Sequence, residues 1–206
     1  MNQQENTRPG SRGTIAFAMC GSFCTFEAAV PQVARLVSAG WKVLPVMSFS
    51  AAGLDTRFGR AADWKEKLEE ITGQPVRASL TAVEPLGPKG LAQGLVIAPC
   101  TGTTLARLAA GLSDTPVTLA AKSLLRVGCP VVIAVSTNDG LGASAENIAR
   151  LMNRKHYYFV PFLQDDWVNK PQSLKADLTL LPDTLEAAFA GRQVQPVLRP
   201  AAPIAT

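Results

Sequence analysis

Five apolar runs alternate along the chain with stretches in which apolar residues recur at helical spacing. The runs lie at 14–20, 41–48, 94–100, 130–136 and 157–162. Short apolar runs separated by helical periodicity are typical of parallel strands that are joined by crossover helices. The pattern therefore predicts repeated βαβ units and an α/β fold built on a parallel sheet.

Helices are predicted between the runs from the spacing of their apolar residues. After the first run, Phe26, Val30, Val33 and Val37 recur at steps of four, three and four, and Gly40 follows where a helix would end. The same spacing recurs in three further sets: Trp64, Leu68 and Ile71 before Gly73; Leu105, Leu108 and Leu112; and Ile148, Leu151 and Met152. We expect 74–93 to be a mostly irregular connection that holds at most one short strand.

Composition limits the chain to one domain. With 206 residues, 47% of them apolar, it can fill a single sizeable core, and we expect one domain over 13–198 between flexible ends at 1–12 and 199–206. The net charge of +4 is spread without a dense Lys/Arg run, which argues against nucleic acid as a partner. No apolar run approaches the roughly 18 residues of a membrane helix. The polar start lacks the apolar core of a signal peptide, so a cytoplasmic location is expected.

The cysteines do not form a metal-binding pattern. Cys20, Cys24, Cys100 and Cys129 show no C-x-x-C spacing, and His156 is the single histidine of the chain. We expect no bound metal and reduced thiols near strand ends.

Small hydroxyl residues follow four of the predicted strands. In an open parallel sheet, ligands bind beyond the carboxyl ends of the strands, where helix N-termini offer free N–H groups to an anion. The same residue types are the favoured N-caps, so helix capping stays open as an alternative for each loop. The candidate cofactor-binding residues are Gly21, Ser22, Ser48, Thr101, Gly102, Thr103, Thr104, Ser136, Thr137, Asn138 and Asp139.

Absent motifs narrow the choice of ligand. No G-x-x-x-x-G-K-[ST] occurs, which disfavours nucleoside triphosphates, and the first loop has one glycine where a dinucleotide fingerprint needs three. The phosphate of a mononucleotide such as FMN needs only one hydroxyl-rich turn at a helix N-terminus. FMN is therefore the predicted cofactor, with its phosphate at Thr103 and Thr104 and its ring among the other loops.

One segment carries a family resemblance. "APCTGTTLARLAAGLSD" (98–114) resembles the A-P-x-x-x-N-T-x-x-K-x-A-x-G-x-x-D signature of the flavoprotein family that includes FMN-dependent cysteine decarboxylases. Thr103 stands where that family has Asn, and Arg107 where it often has Lys. The decarboxylases use a histidine upstream of this signature, and this chain has none before His156. The resemblance therefore implies a flavin site and transfers no catalytic residue.

A wider resemblance runs from residue 21 to residue 189. "GSFCTFEAAVPQ", "PVVIAVSTNDGLG" and "VPFLQDDWVNKP", in this order, are similar to segments of the B-subunit family of dipicolinate synthases. With the βαβ pattern, this implies a three-layer flavodoxin-like or Rossmann-like parallel sheet with helices on both faces. It also implies a partner, the A subunit of dipicolinate synthase, which carries NADP. We further expect a homo-oligomer.

The activity that this resemblance implies is oxidation of a dihydrodipicolinate precursor to dipicolinic acid, in the mother cell of a sporulating bacterium. We expect the chain to be inactive without this partner. An independent FMN-dependent decarboxylase and a noncatalytic scaffold for the partner stay open as alternatives.

A dicarboxylate substrate needs cationic partners. Arg57 in "DTRFG" and Lys89 in "GPKG" are the candidate substrate-binding residues, and a solvated surface charge is the alternative for each. We interpret His156, at a helix-to-strand junction, as a helix C-terminal or surface residue rather than a base. The cluster "QDDWVNKP" at 164–171 is expected to be a lid or a partner surface, with a solvated loop as the alternative.

Overall fold

The computed structural model describes residues 12–200. Its strands are β1 Gly13–Met19, β2 Trp41–Met47, β3 Leu95–Cys100, β4 Val131–Thr137, β5 Tyr157–Phe159, β6 Phe162–Leu163 and β7 Leu174–Ala176. Its α-helices are α1 Phe26–Ser38, α2 Phe49–Gly53, α3 Ala61–Thr72, α4 Leu80–Val83, α5 Gly102–Ala110, α6 Pro116–Leu125, α7 Ala145–Met152 and α8 Leu181–Phe189. The ends predicted to be flexible lie outside the described residues, except for Arg12, Arg199 and Pro200.

The sheet has a parallel centre and an antiparallel margin. Strands β2, β1, β3, β4 and β5 pair in this order and all run parallel. This is the strand order of flavodoxin-like folds, in which the order reverses between β1 and β3. Strands β6 and β7 are antiparallel additions, and β7 pairs with the last residues of β4. The predicted α/β fold is confirmed, and its sheet is mixed rather than wholly parallel.

The last predicted strand is shorter than its apolar run. Strand β5 ends at Phe159, although the run was expected to continue as a strand to residue 162. Pro161 follows, and a proline cannot donate a ladder hydrogen bond. Phe162 instead begins β6, and its N–H donates to the carbonyl of Val197 at 3.0 Å. The prediction of one strand over 157–162 was wrong for this reason.

The helices predicted from apolar spacing are present, with different ends. Gly73 and Gly111 close α3 and α5 in the left-handed region, at φ values of 62° and 74°. Leu112 was expected on the buried face of α5 but lies beyond Gly111 and is 53% exposed. Met152, the last residue of α7, is also exposed. Helices α6 and α8 were not predicted.

The connection expected to be irregular contains helical turns. Helix α4 lies in it, directly followed by a 3₁₀ turn at Glu84–Leu86. The backbone approaches α6 closely there: a Cβ on Gly87 would lie 1.9 Å from the carbonyl oxygen of Ser123. The Ser123 hydroxyl donates to Glu84 O at 2.7 Å and accepts from Gly87 N at 3.0 Å, which fixes the connection.

Helices cover both faces of the sheet, which confirms the three layers. One core cluster joins α1, α3 and α8 to the sheet through residues such as Phe26, Leu68 and Leu185. The other joins α5, α6 and α7 to the opposite face through residues such as Leu105 and Leu124. Within residues 12–200, no helix is both long enough and apolar enough to cross a membrane.

Candidate functional site

A cleft of about 560 Å³ opens at the carboxyl ends of β1, β3 and β4. We call it the first cleft. It lies at the point where the strand order reverses, which is where open α/β sheets bind ligands. Most residues predicted from the first, third and fourth loops line it. Its lining consists of Gly21, Ser22, Cys24, Thr25, Ala28, Thr101, Gly102, Thr103, Ser136, Thr137, Asn138, Asp139, Asp165, Lys170, Ser173, Leu174 and Lys175.

Three hydroxyl groups meet in one wall of the first cleft. The Ser136 Oγ lies 2.7 Å from Ser22 Oγ and 2.8 Å from Thr25 Oγ1. Thr25 and Ser136 are buried, so the loop after β4 is fixed to the turn that begins α1. Sequence reasoning chose Ser22 and Ser136 but missed Thr25. Its only signal was a hydroxyl three residues after Ser22, the spacing of one helical turn.

Asp139 lines the first cleft and is held there by hydrogen bonds from neighbouring hydroxyls. Its Oδ1 accepts hydrogen bonds from the hydroxyls of Thr137 and Ser144. Gly102, the first residue of α5, packs against this group: a Cβ there would lie 2.5 Å from Ser144 Oγ and 2.8 Å from Asp139 Oδ1. The Asp139 carboxylate thus lies against the first turn of α5, where it opposes the approach of a phosphate from this side.

A second cleft of about 380 Å³ adjoins the first and shares Gly21, Thr101 and Thr103 with it. Its lining is Cys20, Gly21, Ser48, Phe49, Ser50, Thr101, Thr103, Thr104, Arg107 and Thr115. This second cleft collects the remaining predicted residues and adds the guanidinium of Arg107, which forms an ion pair with Asp114 at 3.2 Å. No carboxylate of the described residues lines the second cleft, whereas Asp139 and Asp165 line the first, so the second cleft is the more suitable of the two for a phosphate.

Two of the predicted residues act as helix N-caps: Ser48 caps α2 and Thr101 caps α5. The Ser48 hydroxyl accepts from the N–H of Ala51 at 3.2 Å, and the Thr101 hydroxyl accepts from the N–H of Thr104 at 3.3 Å. The Thr104 hydroxyl is buried between Thr101 Oγ1 and the thiol of Cys20. Thr103 is exposed, and it is the threonine of this turn that is free to contact a ligand.

The buried cysteines are held in the neutral form. Burial raises the pKa of the Cys20 thiol to about 11, although the hydrogen bond from Thr104 opposes this shift. Burial and the neighbouring Cys20 raise the pKa of Cys100 well above its ordinary value. Neither thiol is therefore a thiolate nucleophile at neutral pH. Among residues 12–200, no group of three His, Cys, Asp or Glu side chains could hold a metal ion.

Two lysines line the first cleft: Lys170 belongs to the 164–171 cluster, which was expected to be a lid or a partner surface, and Lys175 was not predicted. Lys175 lies in β7 opposite Ser136 of β4, and Lys170 lies in the segment that leads into β7. The segment is fastened at both ends, because Leu141 N donates to Gln172 O at 2.9 Å and Ser173 Oγ donates to Asp165 Oδ1 at 2.8 Å. The "QDDWVNKP" cluster pointed to this region.

The predicted substrate cations lie outside both clefts. Lys89 is exposed and precedes β3, so it lies toward the amino ends of the strands, opposite the clefts. Arg57 follows α2 and stacks its guanidinium 4.8 Å from the centroid of the Phe58 ring. His156 precedes β5, is exposed and lines neither cleft, which agrees with its interpretation as a helix C-terminal or surface residue.

Comparisons with known proteins identify the family of the chain. A family model described as Flavoprotein matches residues 3–180. The dipicolinate synthase B subunit of Bacillus subtilis (strain 168) is 45% identical over 184 residues, which cover 89% of this chain and 92% of that protein. The crystal structure of the dipicolinate synthase B subunit from Bacillus halodurans superposes with a TM-score of 0.85 at 43% identity, over 92% of this chain and 97% of that chain.

A more distant structure shares the fold alone. The FMN-dependent cysteine decarboxylase SpaF superposes with a TM-score of 0.65 at 23% identity, over 87% of this chain and 98% of that chain.

Proposed function

The chain belongs to the flavoprotein family and, within it, to the B-subunit family of dipicolinate synthases, and on this premise we propose that it is the B subunit of a dipicolinate synthase. In this role it helps to oxidise a dihydrodipicolinate precursor to dipicolinic acid, together with an A subunit that carries NADP, in the cytoplasm of the mother cell of a sporulating bacterium. The observation that carries the proposal is the pair of adjoining clefts at the reversal of strand order, one suited to a phosphate and the other holding two lysines.

FMN is the cofactor that the two clefts fit. Ser50, Thr103 and Arg107 of the second cleft would hold the phosphate. The shared residues Gly21 and Thr101 would carry the ligand into the first cleft, where the ring system would lie. Both volumes fall in the range of roughly 300–1,000 Å³ that small-molecule sites occupy. When bound, FMN supplies a group that can accept or donate two electrons.

The two lysines fit a dicarboxylate substrate better than Arg57 and Lys89 do. Across the described part of the chain, neither Lys170 nor Lys175 has a carboxylate partner in an ion pair, so both ammonium groups remain free for carboxylates. Ser136, opposite Lys175 in the sheet, adds a hydroxyl beside them. We propose that these lysines orient the substrate by its two carboxylates.

The oxidation removes a hydride and a proton from the ring of the precursor and leaves an aromatic pyridine. A nicotinamide on the partner would receive the hydride, since NADP is the group that the A subunit is expected to carry. The protonated thiols of Cys20 and Cys100 do not serve as bases for the proton, because burial raises the pKa of both. The residues of the first cleft bind and orient the substrate and shield it from water.

The mouth of the first cleft offers a surface for the partner protein. Trp167 and Val168 lie in the segment that also supplies Lys170, and these residues are 44% and 55% exposed. Exposed aromatic residues beside a ligand site are typical of protein interfaces. We propose that the 164–171 segment contacts the A subunit there.

One alternative function has an observation in its favour. The hydroxyls of Ser48, Thr101 and Thr104 form hydrogen bonds within the protein. These bonds stabilise the loops whether or not a flavin binds, so a chain that had lost its flavin would keep the same residues. A noncatalytic scaffold for the partner therefore remains the second candidate. The independent decarboxylase has no such support, because His156 lines neither cleft.

Reconstitution with the partner tests the proposed function. We expect the isolated chain to form no dipicolinate from the precursor in the presence of NADP, and coexpression with the A subunit to produce it. A Trp167→Ala/Val168→Ala variant should copurify less with the partner while it binds FMN unchanged. Equal turnover by the isolated chain and by the pair would show that the assignment to a two-component synthase is wrong.

A further inference from the structure

A third pocket, of about 440 Å³, lies where the C-terminal ends of α5, α6 and α7 meet the start of β5. We call it the basic pocket. It shares no residue with the first or the second cleft. Its lining is Leu108, Gly111, Leu112, Thr118, Lys122, Leu125, Arg126, Arg154, Lys155, His156 and Tyr157. Nothing in the proposed function uses it.

Two of its four Lys and Arg side chains have structural partners. Arg154 donates to Leu108 O at 3.0 Å and to Ala109 O at 2.7 Å, which satisfies the last carbonyls of α5. Arg126, directly after α6, pairs with Glu84 at 3.6 Å. Cations at helix C-termini also complement the negative end of the helix dipole, so these two arginines are explained without a ligand.

The two lysines of the basic pocket have no such partner. Across residues 12–200, neither Lys122 nor Lys155 forms an ion pair with a carboxylate. The Lys122 ammonium donates a hydrogen bond to a neutral hydroxyl, Ser113 Oγ, at 3.4 Å. The pocket thus concentrates positive charge that the protein itself does not neutralise, which favours an anion in it.

The basic pocket also has an apolar wall beside its lysines and arginines. Leu108, Leu112 and Leu125 line it, and Leu112 is 53% exposed although it is a large apolar residue. Burial raises the pKa of Tyr157, so its ring borders the pocket as a neutral phenol. Small-molecule sites combine such apolar walls with a few placed polar groups. An inorganic anion would leave this apolar wall exposed to water, whereas an organic anion would cover it.

We propose that the basic pocket binds a small aromatic carboxylate, with its ring against Leu108, Leu112 and Leu125 and its carboxylate between Lys122 and Lys155. This site is separate from the flavin and substrate clefts, and it does not depend on the function proposed for them. An acidic peptide is the less suitable occupant, because the pocket is a local concavity rather than an extended groove.

Titration with isophthalate tests the site, with amide chemical shifts as the readout. We expect the largest shift changes at Gly111, Leu112 and Tyr157. A Lys122→Gln/Lys155→Gln variant should bind isophthalate at least about tenfold more weakly, because each charge-assisted hydrogen bond contributes about 1.5–3 kcal/mol and about 1.4 kcal/mol is one decade. A Lys42→Gln/Lys65→Gln variant is the matched control, since it removes the same charge elsewhere and should bind as the wild type does.

Two further measurements separate the possible occupants. Two probes should bind more weakly than isophthalate. Isophthalamide keeps the aromatic ring but has no charge, and inorganic phosphate has the charge but no ring. Equal isophthalate affinity in the two double variants would overturn the proposal, as would shift changes confined to Ser136–Asp139 or tighter binding of phosphate. An unchanged FMN affinity in the Lys122→Gln/Lys155→Gln variant would show that the flavin clefts are intact.

Discussion

Ser22 and Ser136 follow different strands, 114 positions apart in the chain, yet their hydroxyl oxygens lie 2.7 Å apart. This contact exists because β1 and β4 both end at the carboxyl edge of one parallel sheet, with only β3 between them. It joins the loops that the sequence marks as ligand-binding into one wall. The phosphate and the reacting ring of a single ligand can therefore contact residues from several separate loops.

Substitutions of Thr103 and Thr104 should have different effects, one on FMN affinity and the other on the stability of the protein. Replacing both with Val should lower FMN affinity at least about tenfold, because hydrogen bonds to a charged group contribute about 1.5–3 kcal/mol each. We expect Thr103→Val, at the exposed position, to carry this loss. Thr104→Val should mainly lower the melting temperature, because its buried hydroxyl bonds to Thr101 and Cys20.

Riboflavin is the control for the phosphate contact. Because it lacks the phosphate, riboflavin should bind to the wild type and to Thr103→Val with the same affinity. Equal losses of affinity for riboflavin and FMN would refute the phosphate role of this turn.

Lys175 should govern substrate binding rather than cofactor binding. In the reconstituted pair, Lys175→Gln should raise KM for the precursor by about tenfold or more, because a charge-assisted hydrogen bond to a carboxylate is lost. FMN affinity should not change. Lys42→Gln, on β2 and away from both clefts, is the control that removes an equal charge. An equal KM for the two variants would exclude Lys175 from substrate binding.

Gly102 should be intolerant of any side chain. Gly102→Ala places a Cβ 2.5 Å from Ser144 Oγ, and we expect the free energy of unfolding to fall by about 1–3 kcal/mol. Gly53→Ala is the control, because a Cβ there meets nothing within 4 Å. Denaturant unfolding measures both. An equal loss of stability in Gly102→Ala and Gly53→Ala would show that the steric explanation is wrong.

The neutral thiol of Cys20 should make stability depend on pH above about pH 9. Its pKa is raised from 9.0 to about 11 in the folded protein, so both states hold the proton at lower pH. As pH rises from 9 to 11, the unfolded chain releases this proton while the folded chain keeps it. The free energy of unfolding therefore falls, with a limiting slope of about 1.4 kcal/mol per pH unit.

Two cysteine variants isolate this dependence. Cys20→Ala should show a smaller loss of stability over this pH range than the wild type, whereas Cys24→Ala, at an exposed cysteine, should behave as the wild type does. The same slope in all three proteins would contradict the pKa assigned to Cys20.

Strands β1 to β4 of the parallel centre could be predicted from the sequence because each has six or seven mostly buried residues. Strands β6 and β7, of two and three residues, are too short to show any periodicity. Helix α6 did carry a usable signal, since Thr115 precedes Pro116 as an N-cap precedes a proline at the first helical position.

Site residues in the loops that directly follow a strand could be predicted from the sequence. Site residues that reach the clefts through the pairing of distant strands could not. The hydroxyl loops after β1, β3 and β4 follow directly from the strand pattern. Lys175 enters the first cleft only because β7 pairs with the end of β4, a contact between distant parts of the chain. Asp139 has the residue type of a ligand contact and lines the first cleft, but its Oδ1 is already held by the hydroxyls of Thr137 and Ser144, which no sequence pattern indicates.

The central claim is that the two clefts form a mononucleotide site. Its most direct test is a calorimetric titration of the purified chain with FMN, FAD and NAD. The second cleft has hydroxyls and one guanidinium for a single phosphate. The loop after β1, which supplies Gly21 to this cleft, has one glycine where a pyrophosphate site needs three. We therefore expect FMN to bind more tightly than FAD or NAD. Tighter binding of NAD, or no binding of any flavin, would contradict the account.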